Sequence, residues 1–588
     1  MSVKGNIIKF TNAPDLDQNW IDSSGGAEDI RNFRQDPDAL GWLADRGLEP
    51  WWRAPATFSG QPQTAFIRSL LEDAVDSFYI WNKQNTEQSY YIVEQGGYLY
   101  YVMGHKGLGS PDFDADIYLL DNARYIPKIN EVGTQYIPFG NKLLIINGVD
   151  KPIWFYGGEK VRDFGFLLPT PTPDVLDIKP EYLSAPNLLE NNTAAPNFGS
   201  GDTIGLGDRG DNDLSNYSWR MSFILDTGAE SPLGGIASQS WDVGTVGAQQ
   251  RRFGCFISDF PIGPEGTVAR KLYRTKNQRR PDSSTARDQL FYEALIVRDN
   301  STDSIVDVIP DTALTVPAPL LTDSVTISSS YITGESWDNR LWLAGGGGHP
   351  TRIIYSDLGI PEQFGAFSYF DLGNTSGGHI TRLYAYYNNL LVFRERSIDI
   401  IRSGPSGYTV SNLSSNVGTT AANSIKLVPD VGVVFLSKDG FFVLQGGLDG
   451  GSQIFVSTLS TKISKEIQKI NIAALAKSFA VYSDKEKEYW CHYPRRGFEI
   501  PTRGVVLHQK TKQLSFRGAT NKDLEFLYQF TAGAVDSQGN IIFGTSPTWL
   551  LAGAPSDSIT VNAQGFLVHL QVWSGAPYWG QEWTVSSV

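Results

Sequence analysis

Cysteine, methionine and histidine are scarce in this chain of 588 residues, with two, three and six copies. Two cysteines, Cys255 and Cys491, exclude a disulfide framework for a chain of this size. No CxxC pair or Cys/His cluster is present. Both cysteines sit in apolar-flanked, strand-like runs (FGCFI, YWCHY), which predicts buried free thiols. No run of about 18 apolar residues occurs, so no membrane-spanning segment is expected. MSVKGNIIKF lacks the apolar core of a signal peptide. The expectation is a soluble chain made in a reducing cytosol. Leu and Ala do not dominate and no charged heptad pattern runs through the chain, which excludes a coiled coil. There is also no basic surplus: 49 Lys and Arg against 63 Asp and Glu give a net charge of −14. That is the wrong sign for a sequence-independent grip on nucleic acid, which needs cations to replace phosphate counterions. An acidic wall can still surround a polymer that slides past it.

What the chain does have is turns and β-formers: 59 Gly, 31 Pro and 12% aromatic residues. Hydrophobic content of 41% and charged content of 19% suit a folded chain. One phrase recurs: a Gly/Asn/Asp turn, four or five β-prone residues, a short break and often a second β-prone run. It reads FGNKLLIINGVDKPIWFY at 139–156, WDNRLWLAGGGGHPTRIIYS at 337–356 and YNNLLVFRERSIDIIR at 387–402. SKDGFFVLQGG at 437–447 and SQGNIIFGTSPTWLLAG at 537–553 repeat it. Measured at Asn339, Asn389, Gly440, Glu488 and Asn540, successive steps are 50, 51, 48 and 52 residues; earlier copies begin near Gly97 and Asn141. A period of roughly 40–50 residues with several strands per unit is the signature of propeller blades. The pairs Asn388-Asn389, Asp439-Gly440 and Gly539-Asn540 supply the positive-φ positions that tight hairpins need. The expected fold is mostly β: a β-propeller of six or seven blades.

From Asn141 to Asn339 the step is 198 residues, far more than one repeat. The stretch 166–211 is rich in Pro, Gly and Asn and reads as an extended linker. Alternation then resumes in YSWRMSFILDTGAESPLG, VARKLYRTKN and QLFYEALIVRDNSTDSIVDVIPDTAL, which predicts an inserted fibronectin type III-like β-sandwich over 212–316. The expected organisation is an N-terminal arm (1–50), first blades (51–165), linker (166–211), sandwich (212–316), remaining blades (317–555) and a C-terminal segment (556–588). VHLQVWSGAPYWGQEWTV, near the C-terminus, is aromatic enough to face a partner or close the ring. Helix is expected in STLSTKISKEIQKIN, with Ser460 as N-cap and Ile463, Ile467 and Ile470 on one face, and briefly over 36–44.

Motifs that carry chemistry are missing. No HExxH, GxSxG, P-loop or helix-leading GxGxxG occurs, and no catalytic residue, metal site or cofactor is expected. The strand position of Cys491 and His492 puts them on opposite faces. The glycines at 345–348 lie between two strands and read as a loop. SKDGFF is similar to the aspartate box of sialidases but lacks its trailing Thr-Trp, and no motif marks the facing carboxylates of a glycosidase. Basic residues cluster only at Arg251-Arg252 and in ARKLYRTKNQRRP. There Arg270, Lys271, Arg274, Lys276, Arg279 and Arg280 form either a solvated sandwich face or a docking surface for an acidic neighbour or another copy.

The ordered run GGHITRLYAYYNNLLVFRERSIDIIRSG, VGTTAANSIKLVPDVGVVFLSKDGFFVLQGG, STKISKEIQKINIAALAKSFAVYSDKEKEYWCHYP and RGVVLHQKTKQLSFR resembles the tail nozzle proteins of short-tailed bacteriophages. That group includes the tail tubular and packaged-DNA stabilisation or tail-hub proteins. GGAEDIRNFRQDPDALGWLADRGLEPWWRAPATF is similar to that family's opening segment. The likeness is densest over 337–518; the long linker and sandwich depart from the shorter hub relatives. The resemblance implies a non-catalytic virion protein made in the host cytoplasm and placed at the tail tip. It implies a homohexameric ring below the portal and tail adaptor protein, a platform for tail fibres, and a conduit and gate for ejected double-stranded DNA. The DNA would pass without sequence-specific binding. Residues lining that channel are not assigned, although loops such as 404–418 are candidates to close it. The alternatives from the residues are a carbohydrate-active propeller enzyme and a host-binding adhesin using its sandwich.

Overall fold

The computed structural model describes residues 29–30, 33–35, 42–44, 48–52, 75–95, 98–105, 117–119, 133–158, 160–165, 177–182, 215–241, 253–258, 260–276, 290–307, 309, 313–320, 330–373, 375–405, 407–446, 454–512, 514–517, 530–545, 567–570 and 585–586. The recurring phrases fold as antiparallel hairpins. Asp338 and Asn339 both take positive φ (52° and 52°), the two left-handed positions of a tight hairpin turn, and join Thr333–Trp337 to Arg340–Ala344. In the next repeat the left-handed residue is Tyr387, not the expected Asn388-Asn389 pair. Asn389 already opens its strand, opposite Tyr386. Gly440 takes φ 125°, and a Cβ there would lie 2.2 Å from Ser460 Oγ, so both conformation and space require glycine.

Among the described residues outside the inserted segment, seven sheets have four antiparallel strands each, and in six of them the strands follow one another in sequence. Sheet 1 is Val75–Asn82, Gln88–Gln95, Tyr98–His105 and Ile117–Leu119; sheet 2 is Gln135–Phe139, Lys142–Ile146, Ile153–Phe155 and Val161–Asp163. Sheet 3 is Thr333–Trp337, Arg340–Ala344, Arg352–Tyr355 and Tyr369–Asp371; sheet 4 is Ile380–Tyr386, Asn389–Arg394, Ile398–Gly404 and Gly407–Ser414. Sheet 5 is Lys426–Val428, Gly432–Ser437, Gly440–Gln445 and Phe455–Thr458; sheet 6 is Phe479–Ser483, Glu488–Tyr493, Arg503–His508 and Leu514–Arg517. Sheet 7 takes three strands from the C-terminal part, Phe530–Val535, Ile541–Thr545 and Leu567–Leu570, and its fourth from near the N-terminus, Leu48–Trp52. The expected C-terminal segment therefore does contribute to ring closure, through a strand that pairs with both ends of the chain.

Second strands are buried on both faces, as in Asn389–Arg394 and Glu488–Tyr493, because each sheet is packed between two neighbours. Separate apolar clusters fill the gaps between sheets 1 and 2, 2 and 3, 3 and 4, 4 and 5, and 5 and 6. Between sheets 6 and 7 the filler is aromatic: Phe479, Trp490, His492, Phe530 and Phe543. The first strand of sheet 7 lies against that of sheet 1 and closes the circle. First strands of neighbouring sheets touch, so they converge on the axis, and the fourth strands lie outside. This is a β-propeller.

The insertion between sheets 2 and 3 is a two-sheet β-sandwich. Ala237–Trp241, Ser215–Leu225, Thr267–Thr275 and Phe291–Val297 form one sheet; Asp177–Tyr182, Phe253–Ser258 and Ile305–Asp307 form the other. Trp219, Met221, Phe223 and Leu272 make its core. Asp177–Tyr182 falls in the stretch expected to be linker, so the sandwich recruits a strand from it. Its Pro180 is tolerated because this is an edge strand, where a missing N–H breaks no central ladder.

Three local expectations need correction. Residues 461–467 form a short 3-10 turn and a single α-turn rather than a full helix, and Ser460 makes no side-chain cap. Its Oγ accepts instead from the Phe441 N–H at 3.1 Å. Ile463, Ile467 and Ile470 are buried together as expected. In the stretch 36–44, Trp42–Ala44 is a strand paired with Phe33–Gln35, and 36–41 lies outside the described residues. The stretch 404–418 is no long loop: Gly407–Ser414 is the outer strand of sheet 4, with Tyr408 and Val410 packed onto the cluster between sheets 3 and 4. No described helix is long and apolar enough to cross a membrane.

Candidate functional site

The basic cluster singled out by sequence divides once the sandwich is formed. Arg270 and Arg274 are fully buried on Thr267–Thr275, on either side of core residue Leu272. Arg270 donates to the Phe260 and Pro261 carbonyls and pairs with Asp299 at 2.8 Å. Arg274 pairs with Asp307 at 2.9 Å, and the same carboxylate accepts from Trp219 Nε1 at 2.9 Å. These two arginines hold the sandwich together and form no docking surface. Strand alternation hides every second residue, and a string of basic letters does not reveal which. Lys271 points to the other side, between Glu230 and Glu293 at 3.2 and 3.1 Å, and Lys276 lies over the Tyr292 ring. Arg279 and Arg280 lie outside the described residues, as does the Cys255 side chain.

Cys491 is buried in the cluster between sheets 5 and 6, and burial pushes its thiol up to about 12. His492 points the other way and stacks on Phe479 with 5.1 Å between ring centroids. The glycines at 345–348 connect two strands of sheet 3, as read from sequence.

The joint between propeller and sandwich was not foreseen. Arg162, in the last strand of sheet 2, is 2% exposed. It donates through Nη1 and Nη2 to Glu362 at 3.0 and 2.7 Å. Further bonds run to Asp226 Oδ1 at 3.0 Å, the Asp163 carbonyl at 2.8 Å and Tyr156 Oη at 2.9 Å. Glu362 comes from sheet 3, between its third and fourth strands, while Asp226 and Thr227 come from the sandwich. Glu362 also accepts from Thr227 Oγ1 and the Gly165 N–H. Lys142 of sheet 2 pairs with Asp226 at 3.3 Å. Burial opposes the Arg162 charge, but Glu362 more than offsets it and raises the guanidinium above its ordinary value. Asp226 is likewise pushed up by burial, yet Tyr156, Arg162 and Lys142 together hold it below the usual carboxylate range. A network of this kind fixes geometry, because each donor and acceptor has a dedicated partner.

A second polar constellation lines the axis. Hydrogen bonds step from one inner strand to the next: Tyr136 Oη with Ser77 Oγ at 2.6 Å, Thr333 Oγ1 to Gln135 Oε1 at 3.0 Å, Leu383 N to Thr333 Oγ1 at 3.1 Å, and Leu427 N to Tyr384 Oη at 2.8 Å. Tyr79 stacks flat on Tyr136 with 4.9 Å between centroids. Half-buried among these are Glu335 of sheet 3, Arg382 of sheet 4 and Lys426 of sheet 5. Burial, joined by the like charge of Arg382, pulls Lys426 down to about 8. Burial also lowers Arg382 and raises Glu335, and it raises Tyr79 and Tyr384 to about 12. Sequence reading passed over these residues. The available signal was a lone charge in the otherwise β-prone first strand of a repeat, as in ITRLYAY and KLV.

No family model matches the chain, and no curated protein is similar to it in sequence. Among solved structures it is similar to a chain of the "Crystal structure of BBS1N in complex with ARL6DN, soaked with mercury". That likeness has 9% identity over 87% of this chain and 96% of that chain, with a TM-score of 0.23. Agreement that weak carries no argument about fold or function; the architecture rests on the strand order and packing above.

Proposed function

We propose that this chain is a structural virion component: a tail nozzle protein of a short-tailed bacteriophage, which forms a homohexameric ring below the portal and adaptor. The ring would gate and conduct double-stranded DNA and carry tail fibres, without catalysis. The observation that carries the reading is the ordered run over 337–518, whose phrases resemble the nozzle family and fold as sheets 3 to 6. The ionic joint supports it mechanically, since a sandwich locked to two adjacent sheets makes a rigid building block for a closed ring. A net charge of −14 suits walls that repel phosphate evenly. The conduit in this reading runs between copies, and each propeller's inner strands are tied to one another by hydrogen bonds.

Electron microscopy of the native particle, with this chain tagged, tests the proposal. The expected result is six copies in a ring at the tail tip. A tag located elsewhere on the particle, or turnover of a surface polysaccharide by the purified chain, would overturn it. Binding of the purified chain to host cells with no place in a ring would favour the adhesin reading.

A further inference from the structure

The axial constellation has more donors than acceptors. Among the described residues no hydrogen bond or ion pair engages the side chains of Arg382 or Lys426, and Arg382 Nε is buried without an acceptor. Tyr384 Oη accepts from the Leu427 N–H and keeps its own proton to donate. Tyr79 brings a second hydroxyl. Facing them is one carboxylate, Glu335, which already accepts from the Ser336 N–H at 3.2 Å. The next carboxylate in the inner layer, Glu94, is held by Ser77 and Thr134 at 2.9 and 2.6 Å. Asp76 is exposed at the start of sheet 1. Two half-buried cations on neighbouring inner strands repel each other, and an oxyanion between them would offset that repulsion and supply the acceptor that Arg382 Nε lacks.

We propose that the propeller axis binds one small oxyanion, of the phosphate or carboxylate class, held by Arg382 and Lys426 with the Tyr79 and Tyr384 hydroxyls donating around it. Arg382 supplies a planar fork that fits two oxygens of either class, and Lys426 a point charge from the neighbouring sheet. Glu335 opposes the ligand and limits its affinity. The inter-sheet hydrogen bonds that draw the inner strands together restrict the occupant to a small ion. The proposal does not depend on the nozzle reading, because it concerns the axis of a single chain.

The test is isothermal titration of the full chain with inorganic phosphate, and separately with acetate, at constant ionic strength. Saturable binding of one equivalent of either anion is the expected result, and the anion that binds identifies the class. Arg382→Met and Lys426→Met should each weaken binding by roughly tenfold or more, and Glu335→Gln should tighten it by roughly tenfold. Glu335→Gln keeps both cations and nearly the same shape, so it reports even if Arg382→Met does not fold. Absence of saturable binding in both wild type and Glu335→Gln would overturn the proposal, as would unchanged affinity in Glu335→Gln and Lys426→Met.

Discussion

Replacing Glu362 by Gln keeps the shape of the joint and removes its charge. In the wild type, the carboxylate receives two guanidinium N–H bonds, a backbone N–H and a hydroxyl, and both charged side chains are almost completely buried. With about 4 Å between charge centres and an effective dielectric near 20, their attraction is roughly 4 kcal/mol. The variant leaves Arg162 with Asp226 as its remaining carboxylate and turns an amide N–H₂ toward the guanidinium, with only the Thr227 hydroxyl nearby able to accept from it. Removing one member of a buried pair costs about 3–5 kcal/mol, and we expect a loss in that range. Urea unfolding followed by tryptophan fluorescence at pH 7 measures it, and faster proteolysis between sandwich and propeller should accompany it. Arg162→Met combined with Glu362→Leu should be less destabilised than the sum of its single variants by about 2 kcal/mol or more, since no charge is then left unpaired. Asp226 adds an acid limit. Its lowered pKa contributes stability that is present above the ordinary carboxylate value and is lost as pH falls through its folded value. A Glu362→Gln chain within about 0.5 kcal/mol of wild type would refute the view that this network locks the sandwich.

Lys426 gives a prediction of opposite sign. Its pKa falls from 10.5 unfolded to about 8 folded, so the folded state binds fewer protons between those values and stability rises with pH across that window. Lys426→Met should stabilise the anion-free chain at pH 7 by up to about 3 kcal/mol and flatten the rise, which thermal melts from pH 7 to 10.5 would detect. Gly266 takes φ 87°, and a Cβ there would lie 2.3 Å from Arg162 Cδ. Gly266→Ala should therefore cost about 1–3 kcal/mol or more, read from the urea midpoint. Cys491 is buried with a raised pKa, so in a Cys255→Ser background a chromogenic disulfide should label it only once denaturant unfolds sheet 6. Rapid labelling of the native chain would contradict that packing.

Much of the fold was legible from local signals. Alternation marks a strand over a few residues, and a turn such as Asp338-Asn339 fixes a hairpin by its backbone preference, so the recurring phrases fell on second and third strands of the sheets. The sandwich was legible for the same reason, from YSWRMSFIL and VARKLYRT. Asp177–Tyr182 was not, because a proline and a polar neighbourhood conceal an edge strand. Of the six basic residues, Arg270 and Arg274 misled, because burial is a property of the face and these two fall on the inner one.

The amino-acid order by itself determined which segments become hairpins, how often they recur and that the fold is mostly β, because those choices depend on neighbours within a few positions. Tertiary structure alone decided which strand from the start of the chain completes sheet 7, that Arg162 meets Glu362 two hundred residues away, and that Tyr79, Arg382 and Lys426 share an axis. Such contacts come from the closing of the ring, which places distant residues together and leaves no periodic trace in either segment.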